Sequence, residues 1–288
     1  MTDIKSLRHN IEDLDEQIHK LLTDRASLVE QVADYKRKKG IKPCVVSREA
    51  ELVRDVLKWH SGPLDKSSVY CIWREIIGGM TLLQKDMHIS ASFSEGDRRH
   101  YCLEHARDYF GGALRISSQK GDRATINTVR EGVADFAVVP YPEDDRNQKD
   151  QPWWSVIQHD AENNPDTQPL FILASLPFMD SRDEEKNAAR SLVAGYFPFI
   201  SSGKDYSFLY LKVSSSISRG KLIDMAQAQG LKAEKVMNWA PDKAAERTEH
   251  LMEVQGFARE SDPAVQNLFK AFNDKQALLR IAGGYPAL

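Results

Sequence analysis

Basic side chains in the N-terminal part of the chain have the types and spacing of a binding site for a small anion. Apolar residues recur three or four positions apart from Ile4 to Tyr35, which is the pattern of an amphipathic helix. Arg25 falls where this pattern requires an apolar residue. A charge on an apolar face costs on the order of several kcal/mol unless an anion neutralises it. Arg25 therefore predicts an anionic partner, and a solvated helix face is the alternative.

Two more cations belong to the same helix. Lys36 lies eleven positions after Arg25, which is about three helical turns, so both face nearly the same way. Arg8 lies seventeen positions before Arg25 and points roughly 100° away from it. Later segments supply further polar candidates, namely Arg48, Glu49 and Gln84. Since no good nucleophile accompanies this group, it could act only by orienting a substrate and stabilising developing charge.

Three helices are predicted to position these residues. The first covers residues 3–39 and ends in a basic run, which suits the negative end of a helix. The second begins with Ser47 as a plausible N-cap and runs to about His60, and Asp65 can cap the third. So long a first helix has little to pack against in so small a unit, which favours pairing with a second copy of the chain.

After Lys85 the pattern changes to alternating strands and helices. Residues 87–140 follow the order strand–helix–strand–helix–strand, which is typical of an α/β lobe. Further strands are predicted at 169–178 and 192–199, and Trp153-Trp154 is predicted to lie in a polar loop, buried against the sheet. From Tyr206 the order is βαββαβ, the ferredoxin-like pattern.

The predicted fold is therefore multidomain. It combines an all-α three-helix unit, a reduced α/β lobe and a C-terminal ferredoxin-like α+β domain, with bounds at 1–86, 87–203 and 204–288.

Composition and charge exclude several classes of function. The chain has 288 residues, enough for two or three domains, and a formal net charge of −3, which gives no support for nucleic-acid binding. No apolar run is long enough to cross a membrane, and the charged N-terminus is not that of a signal peptide. The three cysteines and the scattered histidines lack metal-ligand spacing. We expect a cytoplasmic protein without a metal site.

Residues 5–84 resemble the all-helical chorismate mutase family. LRHNIEDLDEQIHKLLTDR matches its first helix, KRKKG the end of that helix, SREAELV the second helix and IWREIIGGMTLLQ the third. The resemblance implies an intertwined homodimer. It also implies the Claisen rearrangement of chorismate to prephenate, without a cofactor, in the biosynthesis of phenylalanine and tyrosine.

The resemblance also implies a role for each candidate residue. One site would be lined by Arg25, Lys36, Arg48, Glu49 and Gln84 of one protomer, completed by Arg8 from the other. Arg25 and Arg8 would hold the two substrate carboxylates, because the planar guanidinium matches a carboxylate. Lys36 and Gln84 would donate to the ether oxygen as negative charge grows on it.

Glu49 would accept the ring hydroxyl of the substrate, and Arg48 would support Glu49 and the carboxylate side. Two substrate-binding positions depart from the family pattern. Val45 stands where Asp is frequent and Met80 where Ser is frequent, so two secondary polar contacts are lost.

The rest of the chain has a weaker resemblance. INTVREGVADFAVVP is similar to the first lobe of prephenate dehydratase, and residues 206–288 are similar to a regulatory ACT domain. Residues 87–200 are too few for two dehydratase lobes, and the Thr-Arg-Phe element of that enzyme is missing, since the nearest stretch is Asp166–Phe171. A site in a cleft between lobes needs both of them, so dehydratase activity is predicted to be absent.

Several alternatives remain open at the level of sequence. The chain could be a bifunctional mutase and dehydratase, a regulatory protein that binds chorismate without catalysis, or an enzyme acting on isochorismate. The ACT effector motifs are replaced by ISRG at 217–220 and EKV at 234–236, which argues against phenylalanine binding there. An amino-acid effector or an enzyme of the aromatic pathway remains an open partner of the C-terminal region.

Overall fold

The structure is a computed structural model, and it describes residues 3–42, 45–94, 100–143, 150–163, 168–179, 189–242 and 244–288. Its helices are α1 Ile4–Lys39, α2 Val46–Trp59, α3 Lys66–Gln84, α4 Tyr101–Phe110, α5 Asp122–Arg130, α6 Trp153–Asn163, α7 Arg219–Ala228 and α8 Pro263–Ala271. Its strands are β1 His88–Phe93, β2 Arg115–Lys120, β3 Phe136–Pro140, β4 Phe171–Leu176, β5 Ser191–Gly195, β6 Asp205–Ser214, β7 Lys232–Trp239, β8 Arg247–Gln255 and β9 Leu278–Pro286.

Helix α1 leaves most of its apolar face uncovered. Its only buried residue is Ala33, and residues 3–21 are all exposed. The predicted apolar positions are between 45% and 66% exposed: Ile4, Leu7, Ile11, Leu14, Ile18, Leu21, Leu28, Val32 and Tyr35. The predicted helix is confirmed, and the described part of the chain does not supply the surface that would bury its apolar face.

Helices α2 and α3 begin with different kinds of N-cap residue. Asp65 caps α3, as predicted, by accepting a hydrogen bond from the Ser68 amide at 2.9 Å. The predicted N-cap of α2 is wrong, because Ser47 lies inside the helix and is buried, and the cap residue is Val45 without a side-chain bond. Burial of the apolar face that begins at Val46 favours the earlier start over a serine cap, which contributes only about 1 kcal/mol.

A single mixed sheet of nine strands runs through the rest of the molecule, in the order β2-β1-β3-β5-β4-β9-β6-β8-β7. Strands β1, β2 and β3 are parallel, as an α/β lobe requires. Strand β9 joins this half to the C-terminal half through one parallel pair, Ile172 with Gly283. The predicted regions 87–203 and 204–288 therefore contribute to one sheet, and the boundary between them stays a prediction.

The C-terminal half confirms the predicted βαββαβ order, as β6-α7-β7-β8-α8-β9. Side chains on one face of its sheet, such as Met252 and Val254, pack with Leu222 of α7 and Leu268 of α8. On the other face, Leu251 packs in a core that also contains residues of β3, β4 and β5. This shared core holds the two halves of the sheet together.

Helix α6 was not predicted. Trp153 and Trp154 are 4% and 3% exposed, which confirms their burial, but they begin this helix instead of lying in a loop. Its apolar pattern is hard to recognise in the sequence, because polar residues also lie on its buried face. Ser155, for example, is fully buried and donates a hydrogen bond to Glu249 on β8. The charged and polar stretches 143–151 and 180–187, for which the sequence predicts loops, lie largely outside the described residues.

Candidate active site

Arg25 lies on α1 with one buried guanidinium nitrogen that has no hydrogen-bond partner among the described residues. Its side chain is partly buried, and Nη1 is inaccessible to solvent without a hydrogen-bond partner among the described residues. This burial lowers the pKa of the guanidinium. A desolvated donor without an acceptor is costly, so Arg25 is suited to bind an anion.

Lys36 and Gln84 meet between α1 and α3. The Lys36 ammonium donates to Oε1 of Gln84 at 3.2 Å. The Gln84 amide nitrogen lies 3.4 Å from the carbonyl oxygen of Met80, one turn earlier on α3. Two residues 48 positions apart are thus in contact, and their action on one substrate atom stays a prediction.

Glu49 is bound by a residue that the sequence prediction missed, Arg74 of α3. Both terminal guanidinium nitrogens of Arg74 lie 3.2 Å from Oε2 of Glu49, and Arg74 is only 2% exposed. Burial opposes the charge of Arg74, but Glu49, Tyr109 and Tyr70 together more than offset this effect, so the pKa of Arg74 lies above its ordinary value. The apolar spacing of α3 gives no signal for Arg74, because the apolar stripe continues past it without a gap: Val69, Ile72, Trp73, Ile76, Ile77, Met80 and Leu83.

The remaining predicted residues of α2 and α3 lie closer to the surface. The Arg48 side chain is 73% exposed and forms an ion pair of 2.8 Å with Glu51, one turn further on α2. Val45 and Met80 are partly buried. Their predicted contacts with a substrate stay predictions, as do the roles of the other site residues.

Arg8 is not near Arg25 within one protomer. Both lie on the straight run of α1, and seventeen residues of helix separate them by about 25 Å. Arg8 is exposed, in the part of α1 that the described chain leaves uncovered. Its expected contribution from a second protomer stays a prediction.

The described residues offer no alternative metal centre or membrane segment. They contain no group of three or more His, Cys, Asp or Glu residues placed to hold a metal ion. Within the same described ranges, every helix is too short or too polar to span a lipid bilayer.

The family model for chorismate mutase type II matches residues 7–85. Among curated proteins, the bifunctional chorismate mutase/prephenate dehydratase of Aquifex aeolicus is 27% identical over 144 residues, covering 49% of this chain and 39% of that protein. The protein of the same description from Pseudomonas aeruginosa is 26% identical over 162 residues, covering 54% and 44%. The matches thus span about two fifths of the length of these relatives.

Similar solved structures have low sequence identity. One is described as "GqqA- a novel type of quorum quenching acylases"; it is 17% identical with a TM-score of 0.48, over 70% of this chain and 95% of that one. Prephenate dehydratase from Streptococcus mutans is 14% identical with a TM-score of 0.42, over 70% and 98%. The family match confirms the resemblance of the helical unit, and the curated relatives confirm the resemblance to mutase–dehydratase fusions.

Proposed function

We propose that residues 1–86 form a chorismate mutase, which converts chorismate to prephenate by a Claisen rearrangement without a cofactor. The observation that carries this proposal is the inaccessible, unpartnered Nη1 of Arg25, within a unit that matches the type II chorismate mutase family. A substrate carboxylate would supply the acceptor that the described chain lacks.

Arg25 and Arg8 of the partner subunit hold the two carboxylates of chorismate in this proposal. Two such contacts fold the flexible side chain of the substrate over its ring, so that the carbon atoms to be joined approach each other. Holding reacting atoms in this near-attack geometry removes much of the entropic part of the barrier.

Lys36 and Gln84 act on the bond that breaks. In the rearrangement the ether carbon–oxygen bond cleaves as a new carbon–carbon bond forms, and negative charge develops on the ether oxygen. The contact between the ammonium and the amide at 3.2 Å supports their action on that one atom. Donors aimed at charge that develops only in the transition state raise kcat.

A homodimer through α1 completes the proposal. The uncovered apolar face of α1 supports it, because residues at helical spacing that are 45% to 66% exposed need a complementary surface. A second α1 has the same spacing of apolar residues, as helix pairing requires.

Turnover of chorismate by the full-length protein tests the function, and Arg25→Ala and Lys36→Ala test the site. We expect each variant to stay folded and to lose at least about a hundredfold in kcat/KM, the usual effect of removing a group that stabilises charge. Arg37→Ala is the matched control, because Arg37 is an exposed cation of the same helix, paired with Asp34. A variant of Arg25 or Lys36 with wild-type turnover would show that the site is assigned wrongly.

We further propose that the region after residue 86 has no dehydratase activity, although the curated relatives are described as bifunctional. Incubation of the protein with prephenate tests this point. Formation of phenylpyruvate would overturn the proposal and establish the bifunctional alternative. Parallel chorismate assays with phenylalanine or tyrosine test the C-terminal region for an effector.

A further inference from the structure

Arg74 is buried at the contact between the helical unit and the α/β lobe. Its Nε donates to the carbonyl of Tyr109 near the end of α4, and its guanidinium carbon lies 3.9 Å from the centre of the Tyr109 ring. The other two nitrogens contact Glu49 on α2. One side chain therefore connects α2, α3 and α4.

The ion pair between Arg74 and Glu49 restricts both side chains. Their side chains alone are 3% and 15% exposed, respectively. A Glu49 carboxylate that turned away would leave a buried guanidinium without its counterion, which is strongly unfavourable. Oε2 of Glu49 is therefore fixed relative to Arg74.

The lobe in turn fixes Arg74. The next residue, Glu75, accepts a hydrogen bond from the Gly112 amide at 3.0 Å. One turn later, a Cβ at Gly78 would overlap the carbonyl of Phe110, so α3 and the end of α4 are in direct backbone contact. This close contact leaves α3 little freedom to slide along the lobe.

We propose that Arg74 is a positioning residue, through which the end of α4 sets the orientation of the Glu49 carboxylate in the mutase site. The proposal rests on the proposed function and on the role that the family resemblance implies for Glu49, which is to accept the ring hydroxyl of the substrate. The α/β lobe is then a structural support of the active site, in addition to any role of its own.

Arg54 offers an internal control for a purely structural bridge. It also lies on α2, and it donates to the carbonyls of Ala287 and Ser202, each at 2.8 Å. It thus connects the same helix to the C-terminal region, and none of its hydrogen bonds to described residues involves a predicted site residue. Loss of Arg54 should lower stability and leave Glu49 in place.

The experiment compares kcat and KM of full-length Arg74→Met, Arg74→Lys and Arg54→Met, well below their melting temperatures. We expect Arg74→Met to lower kcat at least tenfold, and Arg74→Lys, which keeps the charge, to recover part of the loss. Arg54→Met should stay within twofold of wild type. If Arg74→Met fails to fold, Arg74→Lys tests the proposal instead. We then expect Arg74→Lys to lower kcat at least threefold.

A double-mutant comparison separates positioning from general destabilisation. If Arg74 acts through Glu49, then Arg74→Lys or Arg74→Met should change kcat less than twofold in a Glu49→Gln background. Equal losses in both backgrounds, wild-type kcat in the Arg74 variants, or an equal loss in Arg54→Met would each overturn the proposal. An inactive wild-type protein would instead overturn the proposed function, and this inference with it.

Discussion

Three arginines of the helical unit carry the same charge in different environments. Arg25 is partly buried with an unpartnered nitrogen, whereas Arg74 is buried against the carboxylate of Glu49. Arg48 forms an exposed pair with Glu51, and such pairs contribute about 1 kcal/mol or less. In the proposed site, Arg48 would exchange this partner for the substrate at little cost, and a substrate carboxylate would be the acceptor for Arg25.

His250 on β8 predicts a pH dependence of stability. Both ring nitrogens are buried without hydrogen-bond partners among the described residues. Burial, and to a lesser extent the charge of Arg219, lower the pKa of His250 from 6.5 to about 4. Between these values the unfolded chain binds a proton that the folded chain does not, so the free energy of unfolding decreases as the pH falls through this window, by roughly 3 kcal/mol at most.

Urea unfolding of wild type and His250→Leu at pH 7.5 and pH 4.5 measures this effect. The leucine removes both the titrating group and two unsatisfied polar atoms, so we expect it to stabilise the protein by about 1 kcal/mol at pH 7.5. Its advantage should grow by roughly 2 kcal/mol at pH 4.5. An advantage of equal size at both pH values would show that His250 does not carry the dependence.

If α1 spans both protomers of a dimer, two inactive variants should regain activity when they are mixed. If Arg8 of one protomer completes the site that contains Arg25 of the other, then Arg8→Ala and Arg25→Ala are each inactive. In a mixed dimer, one site contains both changes and the other contains neither. After dissociation and random reassociation, about a quarter of wild-type activity should return, because about half of the dimers are mixed.

Chorismate turnover before and after mixing measures the recovery. A mixture of Lys36→Ala with Arg25→Ala is the control, since both changes lie in the same protomer's share of the proposed site. Each site of a mixed dimer then contains one of the two changes, so no activity should return. A mixture of Lys36→Ala with the double variant Lys36→Ala/Arg25→Ala should recover nothing. No recovery in the mixture of Arg8→Ala with Arg25→Ala would contradict the exchange of Arg8 between protomers.

At the scale of the whole molecule, a buried polar cluster joins the two halves of the sheet. The hydroxyls of Tyr141, which follows β3, and Tyr285 on β9 both donate to Glu253 on β8. Arg190, beside β5, donates to the Tyr285 hydroxyl at 3.1 Å. The buried carboxylate is therefore satisfied only when both halves of the sheet are in place.

Gly283→Ala should separate or strain these halves. Gly283 has a φ of 114°, and a Cβ there would overlap the backbone of Ile172, its partner across β4 and β9. We expect a loss of at least about 2 kcal/mol in the free energy of unfolding, because neither backbone can move away. Thermal unfolding followed by circular dichroism measures the loss.

Gly220→Ala is the matched control, since Gly220 lies in α7 with nothing within 4 Å of the added Cβ. It should leave the melting temperature unchanged or slightly raised, as alanine favours a helix over glycine. If Gly283→Ala melted at the wild-type temperature, the close contact between β4 and β9 would not limit the size of the side chain at position 283.

Part of the candidate site could be predicted from the chain alone. Arg25 was identified by its conflict with the apolar pattern of α1, which involves only neighbours within a few turns of helix. The pairing of Glu49 with Arg74 was not identified, because it joins residues 25 positions apart across two helices. Apolar spacing does not mark Arg74 either, because the apolar stripe of α3 continues past it.

Helix and strand periods are properties of consecutive residues, so the chain alone predicts the long first helix, the order of the elements apart from α6, and the βαββαβ pattern. Only the tertiary structure decided that two predicted regions share one sheet, that α6 exists, and that a buried arginine ties the candidate site to the lobe. Those features depend on which residues, far apart in the sequence, pack together and exclude water. Only the packing of the whole chain determines these pairs.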